Sequence, residues 1–461
     1  MIMTLWVTLL LIEAPPDRRP TDPGGVTERV SVSTSGDEAD GMSMMPDISA
    51  DGRFVAFESG AGNLVPDDNN CASDVFVFDR LTHTTERVSV SSAGLEGNAG
   101  SQRPRISGDG RFIAFQSNAS NLVSHDLNGC TDIFVHDRLT GSTTRASEDV
   151  LGTEGDNASI HPRLSSCGRY VAFHAAASWD ERDVNGQWDV YLKDILTGDL
   201  ELISLNNDGA VGNDWSEHCY VSSGGRWVVY HSKATNLVPD DYNGKDDIFI
   251  FDRAERRTRR LSVNAAGGES DGNSAFPAIC GDGRWVVFES DGTNLVPDDT
   301  NRQRDVFLCD TLAGTLRLIS RADQRPSDGA SMRAHISDDG RFVVYVSQAT
   351  NLDPRFAPSA GAKIYIYDVA AKTTALAGLT AVGMPAEGGC AFPMISGNGA
   401  AIAFVGFASD LVPGDRNNLA DVFVRAAAPY DGESAAAILP VSAPPKNALP
   451  DPPAVGRTPD P

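Results

Sequence analysis

Short apolar runs rich in β-branched and aromatic residues recur along this chain, each opened by Asp-Gly or a close variant of it. The segment Asp51-Gly52-Arg53-Phe54-Val55-Ala56-Phe57 shows the unit. Its glycine returns as Gly110, Gly168, Gly225, Gly283, Gly340 and Gly399, at spacings of 58, 58, 57, 58, 57 and 59 residues. So regular a period marks a repeat array, whatever number of domains a length of 461 residues suggests. Asp-Gly between two β-prone runs predicts a hairpin closed by a type I′ turn, with both central residues at φ > 0. Four strands are predicted per unit; in the first these are an inner strand at 46–49, a second at 54–59, a third at 74–79 and an outer one at 85–91.

The ends of the array are offset. It starts with an orphan outer strand at 27–33 and finishes after a third strand at 421–424. If the first strand completes the last unit, the units close into a ring with no sheet edge left open. The expected fold is therefore all-β: a seven-bladed β-propeller of four-stranded blades over 26–428. A signal-like segment and Pro/Gly linker (1–25) precede it, and a flexible Ala/Pro-rich tail (429–461) follows.

The repeated pattern, running Pro46-x-Ile48-Ser49-x-Asp51-Gly52-Arg53 into Phe57 and resuming at Asp74 to Asp79, resembles the WD-repeat-like propeller units of the TolB type over residues 26–427. The resemblance implies a bacterial, periplasmic or secreted propeller that acts as a binding platform. TolB-type propellers usually carry six blades, so seven is a departure, and TolB's particular role is not transferred.

Charge narrows the partners. Asp and Glu total 63 against 38 Lys and Arg, a net charge of −25, which disfavours nucleic acid and anionic membrane surfaces. The apolar stretch at 1–12 is too short to span a bilayer. A monomer binding a protein, peptide or glycan is expected. The seven cysteines share no register in the repeat and form neither a disulfide framework nor a zinc pattern.

Two constellations could carry chemistry. The first is an acidic loop between second and third strands with the pattern Asp-x-Asn-x-x-x-Asp. It reads Asp68/Asn70/Asp74, Asp126/Asn128/Asp132, Asp183/Asn185/Asp189, Asp241/Asn243/Asp247, Asp299/Asn301/Asp305 and Asp415/Asn417/Asp421. The sixth unit has lost it, with Lys363 in the last place. Convergent oxygens of this kind suit Ca²⁺, but Asp and Asn also close Asx turns with no ion at all. Both readings stay open on sequence.

The second constellation lines the channel. Seven residues before each glycine stand Met45, Arg103, His161, His218, Phe276, Arg333 and Phe392, and two residues further on Asp47, Arg105, Arg163, Tyr220, Ala278, His335 and Met394. Inner strands face a propeller's axis, so Arg103, His161, His218, Arg333 and His335 predict a funnel for an anion, with the histidines titrating between about pH 5 and 8. The competing expectation is that these side chains pair with carboxylates and fill the channel. Trp179, Trp188, Trp215 and Tyr242 are expected in loops on the same rim, as a partner or sugar patch. No hydrolase elbow, zinc-protease, P-loop or dinucleotide motif occurs. The leading expectation is a non-catalytic binding propeller. The alternatives are a hydrolase or lyase acting on an anionic substrate at the channel mouth, and a structural envelope repeat protein.

Overall fold

In blade 1, four antiparallel strands follow one another outward from the axis: Ser43–Ile48, Phe54–Ser59, Asp74–Asp79 and Thr84–Arg87. The computed structural model describes residues 25–322, 325–353 and 361–426; the signal-like segment and the tail fall outside them. Blades 2 to 6 repeat the meander, with inner strands Ser101–Ile106, Ser159–Leu164, Ser216–Val221, Ser274–Ile279 and Ser331–Ile336. Blade 7 takes Cys390–Ile395, Ala401–Gly406 and Asp421–Ala426 from the far end of the array and Val26–Arg29 from its start. Val26 pairs with Ala426 and Arg29 with Phe423, and the Ser31 hydroxyl donates to Asp421 Oδ1 at 2.6 Å. The chain is a seven-bladed β-propeller whose ring closes as its offset ends predict.

Three details differ from expectation. Inner strands start three residues earlier than predicted, at Ser43 rather than 46, and outer strands stop at Arg87. The turn is not type I′: Gly52 has φ 80°, but Asp51 does not share a positive φ. The loop is wider, closed by Ser49 N–H to Phe54 O at 2.9 Å, while Asp51 Oδ1 accepts from Ser49 Oγ and Arg53 N–H. The Asp51 carboxylate thus braces a backbone turn that Gly52 N–H closes onto Ser49 O at 2.9 Å. Glycine is still required, for space as well as for φ. A Cβ on Gly110 would lie 2.2 Å from the ring of Phe54 in the preceding blade, and one on Gly283 2.2 Å from Trp227.

Blades pack through both faces of their middle strands. Val75, Phe76, Val77 and Phe78 are all buried, because each blade is covered on either side by its neighbours. Within a blade one aromatic pair stacks across the second and third strands, as Phe57 on Phe76 at 5.9 Å and Tyr345 on Tyr365 at 6.0 Å. Four cysteines (Cys219, Cys280, Cys309 and Cys390) are buried as small apolar groups, and the described cysteines form no disulfide.

Candidate functional site

Each inner strand carries a bulge near its start, where two residues oppose one; in blade 2 the register slips between Gln102 and Arg105. The first bulged residue is left-handed in every blade: Met45 (φ 50°), Arg103 (55°), His161 (57°), His218 (47°), Phe276 (51°), Arg333 (55°) and Phe392 (50°). A left-handed non-glycine residue costs about 1–3 kcal/mol unless its surroundings hold it. Here the neighbouring blade does so. Arg103 N–H donates to Glu58 Oε2 at 2.7 Å, His161 N–H to Gln116 Oε1 at 2.9 Å, His218 N–H to His174 Nδ1 at 3.3 Å and Arg333 N–H to Glu289 Oε2 at 2.7 Å. The second-strand positions of Glu58, Gln116, His174 and Glu289 are therefore supports for the bulge.

The bulge turns these side chains into the channel, where they form an upper tier. Below it stand Asp47, Arg105, Arg163, Tyr220, Ala278, His335 and Met394. The tiers enclose a cavity of about 80 Å³ lined by all seven of Arg103, Arg105, His161, Arg163, His218, Arg333 and His335. The Tyr220 hydroxyl and His335 Nε2 hydrogen-bond across the channel from blade 4 to blade 6. A second cavity lies beneath and shares Arg105, Tyr220 and His335 with the first, so these three divide the channel into two halves.

The arginines are unpaired. Among the described residues, the guanidinium groups of Arg103, Arg105, Arg163 and Arg333 form no ion pair with a carboxylate, although most other arginines of the propeller do. Arg105 is 6% exposed, gives one bond to Pro104 O at 2.8 Å, and leaves its Nε buried without a partner. Arg163 Nε is likewise without a partner, and its guanidinium lies 5.2 Å from the Tyr220 ring centre. Arg333 is exposed and stacks 4.2 Å over Phe276. Burial, with Arg105 beside it, pushes Arg163 down to about 9. Asp47 feels the charge of Arg105 and Arg163, but its oxygens accept Ile48 and Ile106 N–H, and burial raises its pKa.

Beside the arginines, His161 stacks on His218 at 4.6 Å, His174 lies 4.8 Å from His161, and His231 lies 5.2 Å from His218. These histidines do not titrate between pH 5 and 8 as their sequence suggests. Burial first, then the charge of neighbouring histidines and arginines, lowers His161 to about 2 and His174 to about 3, and drives His218 down further. His335 is lowered to about 3 by burial and by Arg163 and Arg105. His335 also stands in the lower tier, not at the mouth as grouped from sequence.

The acidic loops hold an arginine where Ca²⁺ was an option. Arg87 Nη1 sits 3.3 Å from Asp68, 3.6 Å from Asp74 and 2.8 Å from Glu96. Arg145, Arg260 and Arg29 stand likewise among Asp126/Glu154, Asp241/Asp247/Glu269 and Asp415/Asp421/Glu38. Each asparagine is tied to the last aspartate of its own loop through Nδ2. The bonds run from Asn70 to Asp74 at 2.8 Å, Asn128 to Asp132 at 2.9 Å and Asn185 to Asp189 at 2.7 Å. They continue from Asn243 to Asp247 at 2.8 Å, Asn301 to Asp305 at 2.7 Å and Asn417 to Asp421 at 3.1 Å. The amide oxygens are occupied as well. Asn128 Oδ1 accepts Cys130 N–H, Asn243 Oδ1 accepts Lys245 N–H and Asn417 Oδ1 accepts Leu419 N–H, each at 2.8 Å. Asn70, Asn185 and Asn301 close the same Asx turn onto Ala72, Gln187 and Gln303. Against the Ca²⁺ option, all six asparagines are therefore turn residues whose one candidate ligand atom already serves the backbone.

In blade 3 the Tyr191 hydroxyl caps Asp183 at 2.5 Å. A guanidinium already stands among the carboxylates of four of the six loops, and among the described residues no group of three His, Cys, Asp or Glu side chains is arranged to hold a metal ion. This donor set does not fit Ca²⁺ in the arginine-filled loops. The arginine was missed because it lies on another strand; its signal is that Arg and Glu are lost together, as Leu202 with Val211 in blade 3 and Leu318 with Pro326 in blade 5.

The aromatic patch is also revised. Trp179 packs edge-on to Phe173 and Tyr191, and its indole N–H donates to Thr153 O at 3.1 Å. Trp188 and Trp215 lie edge-on to His174 and His231, each at 5.4 Å. These three are partly buried in the propeller's own packing; Tyr242 alone of the four is exposed, at 81%.

Comparison with known proteins agrees on the architecture. No family model matches the chain. No curated protein matches it either. Among solved structures it is similar to an oligogalacturonate lyase in complex with manganese (12% identity, TM-score 0.50, 88% of this chain and 92% of that one). It is also similar to the β-propeller domain of the Trilobed protease from Pyrococcus furiosus (14%, 0.49, 79% and 89%) and to TolB from Acinetobacter baumannii (14%, 0.38, 82% and 77%). At such identities the likeness shows the fold alone, a β-propeller. Among the described residues no helix is long and apolar enough to cross a membrane.

Proposed function

We propose that this protein is a non-catalytic propeller, acting outside the cytoplasm, that binds an anionic group of its partner at the mouth of the central channel. One observation carries this reading: four guanidinium groups converge without a carboxylate partner in a chain of net charge −25. Ions of like charge brought together in a poorly hydrated channel repel one another and lose solvation, so an anion that joins them is attracted strongly. The weak basicity of His161 and His335 favours binding over hydrolysis or elimination, because a general base works best with a pKa near the operating pH. The apolar stretch at 1–12 supports an extracytoplasmic location.

Calorimetric titration with small carboxylates tests the reading. Binding should weaken as salt rises, since the attraction is screened. Replacing Arg103 and Arg333 with Ala should remove most of the affinity and leave thermal stability close to wild type. No heat of binding with any carboxylate would overturn the reading. Turnover of an anionic substrate, abolished by the same replacements, would move the protein to the enzymatic alternative.

A further inference from the structure

The proposed anion site has a floor, a size and an apolar side, and together these point to one kind of ligand. Arg105, Tyr220 and His335 separate the upper cavity from the lower, and the Tyr220–His335 bond spans the axis. The upper cavity is therefore a blind well rather than a bore. A polymer cannot thread it; only a chain end or a short projecting group can enter.

Size excludes a bulky group. The well measures about 80 Å³. An engineered cavity of about 150 Å³ holds benzene, so a hexuronate ring exceeds this space, whereas a carboxylate bearing no more than a methyl branch is smaller than benzene and can enter it. The walls make the same choice. Met45, Phe276, Phe392 and the prolines Pro46, Pro277 and Pro393 form an apolar arc, and no carboxylate or amide side chain lines the well to receive sugar hydroxyls. Opposite the arc stand Arg103 and His161, with Arg105 at the base presenting a buried, unpartnered Nε.

Resting on the anion-binding reading above, we infer that the well captures the C-terminal residue of a peptide chain. The free α-carboxylate seats on Arg105 and Arg163, and the methyl side chain of a terminal Ala lies against the apolar arc of Met45, Phe276 and Phe392. Arg333, stacked on Phe276 at the rim, closes over the carboxylate from above. Capture of a terminal carboxylate by fixed donors is an established mode of peptide recognition, and charge-assisted bonds to guanidinium give it strength.

The test is isothermal titration of the full chain with four probes at low salt: a hexapeptide ending in alanine, the same peptide with its C-terminus amidated, sodium acetate and sodium glucuronate. The free-acid peptide should bind at least tenfold more tightly than its amide and than acetate. Arg105→Gln should cost at least tenfold in affinity. Arg333→Gln, at an exposed position where folding is not at stake, should weaken the free acid and leave the amide unchanged. Equal binding of acid and amide, or glucuronate binding more tightly than the peptide, overturns the terminal-residue inference while the anion site stands. Silence from all four probes removes the anion site itself, and the inference with it.

Discussion

Replacing His174 and His231 together with Gln should leave the propeller's stability unchanged at pH 8 and make it markedly less sensitive to acid. The repeat supplies the precedent, since Gln116 occupies the same position in blade 2 and accepts the bulge N–H of His161. His174 and His231 are 1% and 5% exposed, and burial lowers both to about 3. In the unfolded chain a histidine protonates near pH 6.5. Below that value the unfolded state binds protons that the folded state refuses, so stability is fully present above pH 6.5 and falls as pH drops toward 3. At pH 5 the loss is ~2 kcal/mol per histidine, or ~4 kcal/mol for the pair. The wild-type curve alone does not isolate this loss, because Asp126, Asp189 and Asp241 act in the opposite sense. Burial raises these carboxyls to about 6, 7 and 6, so they gain a proton on folding as pH falls and offset the histidines. The difference between wild type and the double variant cancels that term. Scanning calorimetry from pH 8 to pH 5 should show two melting curves that coincide at high pH and diverge steadily below 6.5, with the variant higher. Parallel curves would mean that the two imidazoles titrate normally, and that the neutral histidine ladder beside the arginines is wrong.

Deleting residues 25–33 should lower the melting temperature by many degrees or cause aggregation, because blade 7 would lose Val26–Arg29 and the buried Ser31–Asp421 bond; thermal unfolding equal to wild type refutes closure. Gly110→Ala should destabilise by roughly 2–4 kcal/mol, since it forces a left-handed alanine whose Cβ lies 2.2 Å from the Phe54 ring, and denaturant melts would reveal it. Millimolar Ca²⁺ against EDTA should not shift the wild-type melting temperature, because guanidinium groups already fill four acidic loops. A rise that disappears in Asp299→Asn would return the ion to blade 5.

The blade count was legible because the turn glycine has a positive φ in every unit and, in all but the first, also lies against an aromatic ring of the preceding blade. Closure was legible from the orphan strand before Ser33. The bulge was not: Arg and His disfavour left-handed backbone, and what holds Arg103, His161, His218 and Arg333 there is a side chain about 45 residues away on another blade, as Glu58 holds Arg103. Reading the arginines as an anion funnel needed only their position in the repeat. Their lack of partners needed the structure, because carboxylates such as Asp47 and Glu58 are close in space yet spend their oxygens on backbone N–H groups. The histidines misled for a related reason. Their unperturbed pKa belongs to water, and these sit against one another, under tryptophans, next to positive charge.

The closing strand has a consequence for how the molecule is made. Val26–Arg29 leaves the ribosome about 400 residues ahead of its partner, Asp421–Ala426, so it must stay unpaired while the other blades assemble. Until then the growing arc carries two raw edges, one at each end, and either could capture a strand from another copy. Ring closure is thus the last step of folding and the one with the largest loop to span. The entropy of bringing such distant ends together grows only slowly with length, and the curvature of the six finished blades has already placed them side by side.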